Sequence, residues 1–224
     1  MSAVATFAAV LWDMDGTLID SEPLHFRSLA SVLDGFGVRA DPGLQERLIG
    51  MSTSEVFQFC RAEFSLEITE SEWGRRRTDF YLDGAASLTP RPGALEAFKS
   101  LAGAGVAQAI VSNSDRVIVD VNLRALGLDG QRPVSISRSD VVKAKPHPES
   151  YLLAARALDV SAGACVVVED SLPGVRAGRA AGMHVLYWPQ DRLGATEDCL
   201  LGCNDGSLIC RTLRQLPGIQ PTKF

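Results

Sequence analysis

Ala8-Ala9-Val10-Leu11-Trp12 runs without a break into Asp13-Met14-Asp15-Gly16-Thr17-Leu18, and this junction decides the fold. The first five residues are a short apolar run of the kind that forms a strand covered on both faces. Asp13 and Asp15 then lie two residues apart, so on an extended or just-ended strand their carboxylates point to the same side. Gly16 permits a turn with little steric restriction. A plain loop of turn formers has the same composition, so the stretch alone leaves that alternative standing.

Further along, Val106–Val111, Cys165–Val168 and Val185–Trp188 are similar runs, and Val134–Ile136 is a weaker one. Helical spacing fills the gaps: Leu95, Phe98 and Leu101 within Gly93–Gly103, then Asp115–Leu126 and His147–Leu158. Alternating strands and helices predict an α/β fold, a Rossmann-like parallel sheet with helices on both sides. Residues 21–87 break the rhythm. Leu24, Leu29, Val32, Leu33 and Phe36, then Val56, Phe57, Cys60 and Phe64, then Trp73, Phe80 and Tyr81 follow a helical period, with Gly35, Gly37, Pro42 and Gly43 as punctuation. This stretch reads as a helical domain inserted into a discontinuous core of residues 1–20 and 88–224, with Leu88–Gly93 as the return linker. After Gln190 the pattern weakens to loops, a short strand near Leu208–Ile209 and a last helix near Arg211–Leu216.

The 224 residues are 46% apolar and 22% charged, an ordinary globular composition. The net charge of −5 argues against general affinity for nucleic acid or an anionic membrane. The N-terminus lacks a basic region and does not read as a signal peptide. No apolar run approaches the roughly 18–20 residues that span a bilayer, so a cytoplasmic location is expected. The five cysteines, Cys60, Cys165, Cys199, Cys203 and Cys210, are expected as reduced thiols. Cys199 and Cys203 have the spacing for one helical face, but no matching Cys or His pair lies near them, so chance spacing is preferred to a zinc site.

Three more polar clusters follow apolar runs. Ser112-Asn113-Ser114 offers a hydroxyl and backbone N–H groups at a strand-to-helix turn, an anion cradle or simply a helix cap. Lys145-Pro146-His147-Pro148 offers a lysine in a rigid loop, either facing phosphate or solvated. Glu169-Asp170-Ser171 offers carboxylates suited to a hard cation such as Mg²⁺, or another helix cap. A parallel sheet gathers all four clusters at the carboxyl ends of its strands. There Asp13, Asp15, Glu169 and Asp170 repel one another, and a divalent cation with Lys145 relieves the repulsion. The ensemble predicts an acidic metal site that admits a phosphate.

These motifs, in this order and from about Val10 to Trp188, resemble the haloacid dehalogenase superfamily in its phosphatase branch. The helical insert resembles the cap of the subgroup holding phosphoglycolate phosphatases, sugar-phosphate phosphatases and beta-phosphoglucomutases. The resemblance implies a Mg²⁺-dependent phosphatase acting on a small phosphorylated metabolite; the sequence is silent on oligomeric state, and a monomer is the default expectation. It implies that Asp13 attacks phosphorus and becomes a phospho-aspartate. Asp15 would serve as general acid and then as base, and Ser112 and the Asn113 backbone would hold phosphate oxygens. Lys145 would neutralise charge on Asp13 and the phosphate. Asp13, Asp170 and the Asp15 backbone carbonyl would bind Mg²⁺, with Glu169 helping directly or through water. The cap is expected to close over the core, with His25 and Arg77 as candidate substrate contacts; a core or surface histidine and a solvated Arg75–Arg77 run are the alternatives.

A phosphosugar mutase is the alternative activity. Mutase-like caps carry basic residues around a glycine-containing loop, where this chain has Ile49 and Thr53. Hydrolysis is therefore expected over mutase activity. Asp15 disfavours dehalogenation, whose enzymes lack a second acidic residue there. Phospho-accepting receiver modules are shorter and have no helical insert.

Overall fold

The computed structural model describes residues 7–48, 51–190 and 213. Of the expected C-terminal elements only Leu213, a buried helical residue, lies within them. Leu208–Ile209, Ile49 and the cysteines at 199, 203 and 210 fall outside. The chain divides into two compact units, one up to Asp20 and from Thr89 onward, the other Ser21–Leu88. The helical unit therefore ends one residue later than the periodicity suggests. No helix among the described residues is long and apolar enough to cross a membrane.

The first unit is a five-stranded sheet in the order β3-β2-β1-β4-β5, with β1 Ala9–Trp12, β2 Ala107–Val111, β3 Val134–Ile136, β4 Cys165–Glu169 and β5 His184–Tyr187. Every pairing is parallel. Helices α5 Ala94–Gly103, α6 Arg116–Ala125, α7 Glu149–Ala157 and α8 Leu172–Ala180 connect the strands. The expected strand runs are met within a residue or two. β5 begins at His184 because that residue pairs with Val166. β1 and β4 are buried along their whole length, which is why they read as unbroken apolar runs. Leu11, Ala109, Val111 and Val167 pack with Tyr151, Ala154 and Ala177 into one core. Burial of each large aliphatic side chain there contributes roughly 1.5–3 kcal/mol.

The register matters most. Trp12 stands opposite Ile110 on one side and Val168 on the other. One step further, Asp13, Val111 and Glu169 form a row across the sheet at its carboxyl end. β1 sits where the chain order reverses, the position at which an open parallel sheet forms its ligand crevice.

The second unit holds α1 Glu22–Asp34, α2 Pro42–Leu48, α3 Thr53–Glu63 and α4 Glu70–Gly84. Leu29, Val32 and Leu33 of α1 pack with Leu44, Phe57, Cys60 and Trp73 around one apolar centre. Ser52 and Glu55 form a capping box at the start of α3, and the Thr69 hydroxyl accepts from Glu72 N to cap α4. Within the arginine run, Arg75 and Arg76 pair with Glu72 on the surface, whereas Arg77 turns inward.

Candidate active site

The loop leaving β1 turns at once. Gly16 has φ +81°, and its N–H donates to Ile19 O at 2.9 Å. A Cβ at this position would lie 2.1 Å from Asp170 Oδ2, so both the backbone conformation and the close approach require glycine. Asp13, directly after the strand, is 7% exposed.

Lys145 crosses the row defined by the register. Its Nζ donates to Asp13 Oδ1 at 2.6 Å, Val111 O at 2.8 Å and Glu169 Oε1 at 2.7 Å. An ammonium has three protons, and each has a protein acceptor. Glu169 is fully buried and equally committed. Oε1 also accepts from Tyr151 OH at 2.8 Å, and Oε2 accepts from Ser171 N at 3.1 Å and Ser171 Oγ at 2.9 Å. Glu169 therefore holds Lys145 and the start of α8 with the same carboxylate. Asp170 accepts from the Thr17 hydroxyl at 3.1 Å.

The electrostatics follow from burial. Desolvation pushes the Asp13 carboxyl well above the usual carboxylate range; repulsion from Glu169 and Asp170 adds to this, and attraction to Lys145 opposes it. Burial alone would lower the Lys145 ammonium, but the charges and hydrogen bonds of Asp13 and Glu169 win and hold it above the ordinary lysine value. Burial, then Glu169, also raises the Tyr151 phenol well above its normal range, so it stays a neutral donor. One carboxylate oxygen from each of Asp13, Glu169 and Asp170 lies within 4.8 Å of the others. An all-oxygen set with one side chain already destabilised by like charges fits a hard divalent cation.

Asp15 is held on the opposite flank. Its Oδ2 accepts from Ser112 Oγ at 2.9 Å and Ser114 Oγ at 2.8 Å, and its Oδ1 accepts from Asn122 Nδ2 at 3.0 Å. Ser112 does not cap α6; the N-cap position belongs to Asp115. The Asn113 amide instead clamps the Lys145 backbone, accepting from its N–H at 3.0 Å and donating to its carbonyl at 3.1 Å. Ser171 does cap α8, accepting from Gly174 N at 3.2 Å. Lys145 thus joins Asp13, Glu169 and Asn113, Asp170 lies in the same acidic cluster as Asp13 and Glu169, and Asp15 with Ser112 forms a separate hydrogen-bonded group. His25 and Arg77 belong to the helical unit. There the His25 ring lies 4.5 Å from that of Tyr81, and Arg77 donates to Ser28 Oγ at 3.3 Å and His25 O at 3.4 Å.

Sequence reasoning missed four residues that support the site. Tyr151 and Asn122 read as core positions of their helices, with no local signal of a polar task. Arg91 lay in the linker Leu88–Gly93. It is buried, donates to Gly16 O at 2.9 Å, Trp188 O at 2.6 Å and Pro189 O at 2.7 Å, and its guanidinium lies 3.7 Å over the Trp188 ring. It ties the turn after β1 to the end of β5. Gly174 is the fourth: a Cβ there would fall 1.6 Å from Glu169 Oε1. Gly174→Ala is expected to displace a carboxylate held by Lys145, Tyr151 and Ser171, lowering stability by roughly 1–3 kcal/mol. Chemical unfolding of the purified variant measures this, and an unchanged midpoint and slope would show that Glu169 has room to move.

With this geometry in place, the chain can be set beside known proteins. The sequence model of the haloacid dehalogenase-like hydrolases matches residues 7–182, and the chain belongs to that family. It is 31% identical over 182 residues to the phosphorylated carbohydrates phosphatase of Thermotoga maritima, covering 80% of this chain and 83% of that one. It is 33% identical over 184 residues to SUPPRESSOR OF QUENCHING 1, chloroplastic, of Arabidopsis thaliana, covering 80% of this chain but 17% of that longer protein. The crystal structure of a HAD family hydrolase from Deinococcus radiodurans R1, with bound phosphate and sodium, matches with a TM-score of 0.72 at 28% identity, covering 97% of this chain and 100% of that one. The fold and the motifs after its strands thus define a HAD-type hydrolase.

Proposed function

We propose that the protein is a Mg²⁺-dependent phosphatase that hydrolyses a small phosphate monoester, a sugar phosphate or similar metabolite, through a phospho-aspartate at Asp13. The observation that carries this reading is the Asp13 carboxylate at the centre of the sheet's carboxyl edge, with Lys145 at 2.6 Å and Asp170 in the same acidic cluster. The T. maritima relative named for phosphorylated carbohydrates and the D. radiodurans structure with bound phosphate support the substrate class.

Each residue then has a physical task. Asp13 supplies the nucleophilic oxygen, splitting one difficult displacement into two easier ones. Its second carboxylate oxygen is pinned by Lys145, which fixes the direction of attack. Lys145 neutralises charge on Asp13 and, through it, on the phosphoryl group, because its own protons are all engaged by protein acceptors. Asp15 donates a proton to the leaving oxygen and later accepts one from water. Ser112 and the backbone at Asn113 offer donors to phosphate oxygens, as the turn into α6 allows. Asp13 and Asp170, with the Asp15 backbone carbonyl, would hold Mg²⁺, with Glu169 helping directly or through water while it also positions Lys145 and Ser171. Bound there, Mg²⁺ supplies charge neutralisation for the transferring phosphoryl oxygens.

The test is a panel of glucose 6-phosphate, fructose 1-phosphate, glycerol 3-phosphate and 2-phosphoglycolate, with phosphate release measured in Mg²⁺ and in excess chelator. Mg²⁺-dependent release from at least one ester is expected; no release from any, by folded protein, would overturn the reading. A pH experiment follows from the raised Asp13 carboxyl. Such a group contributes stability that is present below its unfolded value and lost as pH rises through its folded value. Mg²⁺ takes the place of that proton, so its stabilisation should grow with pH. The rise in melting temperature on adding Mg²⁺ is expected to be larger at about pH 7.5 than at about pH 5. An equal rise at both would place the cation away from Asp13.

A further inference from the structure

Asn122 is fully buried on the face of α6 that also buries Ile118, Val119 and Leu123. A carboxamide placed among apolar neighbours costs roughly 1–3 kcal/mol unless its hydrogen bonds are made. Here the amide is aimed at Asp15 Oδ1, 107 residues away in the chain. The other oxygen of the same carboxylate accepts from two hydroxyls, Ser112 Oγ and Ser114 Oγ.

The two sides differ in chemistry. An amide –NH₂ donates and never accepts, whereas a hydroxyl both donates and accepts. Oδ1 is therefore held as an acceptor whether or not Asp15 carries a proton. Oδ2 can hold a proton, because a hydroxyl beside it can rotate from donor to acceptor. Ser112 also has only one proton to give. It already accepts from Ser114 N at 2.9 Å, so a phosphate oxygen taking its hydroxyl proton takes it from Asp15. Oδ2 then loses one of its two hydroxyl donors, Ser114 Oγ staying beside it, while Asn122 still fixes Oδ1.

We propose that Asn122 is a positioning residue for Asp15, fixing Oδ1 so that proton exchange occurs at Oδ2. The inference rests on the reading of Asp15 as acid and base. In the first half-reaction the Oδ2 proton passes to the ester oxygen as the bond from that oxygen to phosphorus breaks and the bond from Asp13 to phosphorus forms. In the second, Oδ2 takes a proton from water as the water oxygen bonds to phosphorus and the bond to Asp13 breaks, which regenerates the acid.

The leaving group separates positioning from mere packing. kcat/KM reports on the steps up to phosphoryl transfer to Asp13. An alkyl phosphate needs its departing oxygen protonated, whereas p-nitrophenyl phosphate expels a stable phenolate. Asn122→Leu keeps the volume and removes the donor; Asn122→Ser, too short to reach Oδ1, serves if the leucine variant does not fold. The variant is expected to lose kcat/KM on the best alkyl substrate of the panel at least ~10-fold more than on p-nitrophenyl phosphate, a part of the ~10²–10⁴-fold that a general acid supplies. Equal losses on both substrates would reduce Asn122 to a packing role and overturn the inference. Asp15→Asn is the control. If it shows no selective loss on the alkyl ester, the acid role of Asp15 itself fails; if it does and neither Asn122 variant follows, only the role of Asn122 is refuted.

Discussion

Lys145→Met is expected to lower stability by roughly 3–5 kcal/mol at neutral pH, because it leaves buried carboxylates without their counter-charge. The side chains of Lys145, Asp13 and Glu169, taken without their backbone, are 3%, 9% and 0% exposed, so solvent cannot take the place of the ammonium. Methionine matches the length of the chain but offers no donor to Asp13, Glu169 or the Val111 carbonyl. Turnover should fall on the order of 10²–10³-fold, the scale for loss of one preorganised electrostatic group. The stability deficit should shrink at acid pH, where protonation of Asp13, whose carboxyl is already raised by burial, removes charge that lysine offset. Urea unfolding of wild type and variant at two pH values measures this. A deficit that is small, or independent of pH, would mean that the charges are not buried together.

Asp13→Asn separates stability from activity in the opposite direction. Asparagine keeps the shape and can still accept from Lys145, but it removes a carboxylate that burial and the neighbouring Glu169 and Asp170 oppose. Without metal at neutral pH its melting temperature is expected to rise, and the stabilisation by Mg²⁺ to shrink. Turnover should nevertheless fall on the order of 10⁴-fold or more, because a carboxamide is no nucleophile. A variant that keeps its activity would remove Asp13 from the chemistry. One that unfolds would contradict the electrostatic balance described at the site.

Much of this was legible in the sequence because buried parallel strands leave an unmistakable mark. Leu11, Val111 and Val167 are apolar since no face of their strands meets water, and the polar residues that follow them stand at the sheet's edge by topology alone. The α1–α4 segment was legible for a different reason: Leu29, Val32 and Leu33 share one side of a helix. Asn122, Tyr151, Arg91 and Gly174 were not legible. Each acts on a residue distant in the chain, and nothing in its local pattern distinguishes it from a core polar group, a core aromatic, a linker charge or a helix glycine. Ser114 was visible as part of a turn, but its bond to Asp15 depends on how β2 and α6 pack. Glu169 looked like a metal ligand because acidic residues at a strand end suit one. The structure keeps one of its oxygens in the cluster with Asp13 and Asp170, and adds that the same carboxylate holds Lys145, Tyr151 and Ser171.

The covalent step can be caught directly. Wild-type protein mixed with a radiolabelled sugar phosphate from the panel and Mg²⁺, quenched in acid within milliseconds and digested, should yield a labelled peptide whose modified residue by mass spectrometry is Asp13. No label should appear with Asp13→Asn. Substrate turnover with no labelled peptide, or label on any other side chain, would contradict the account.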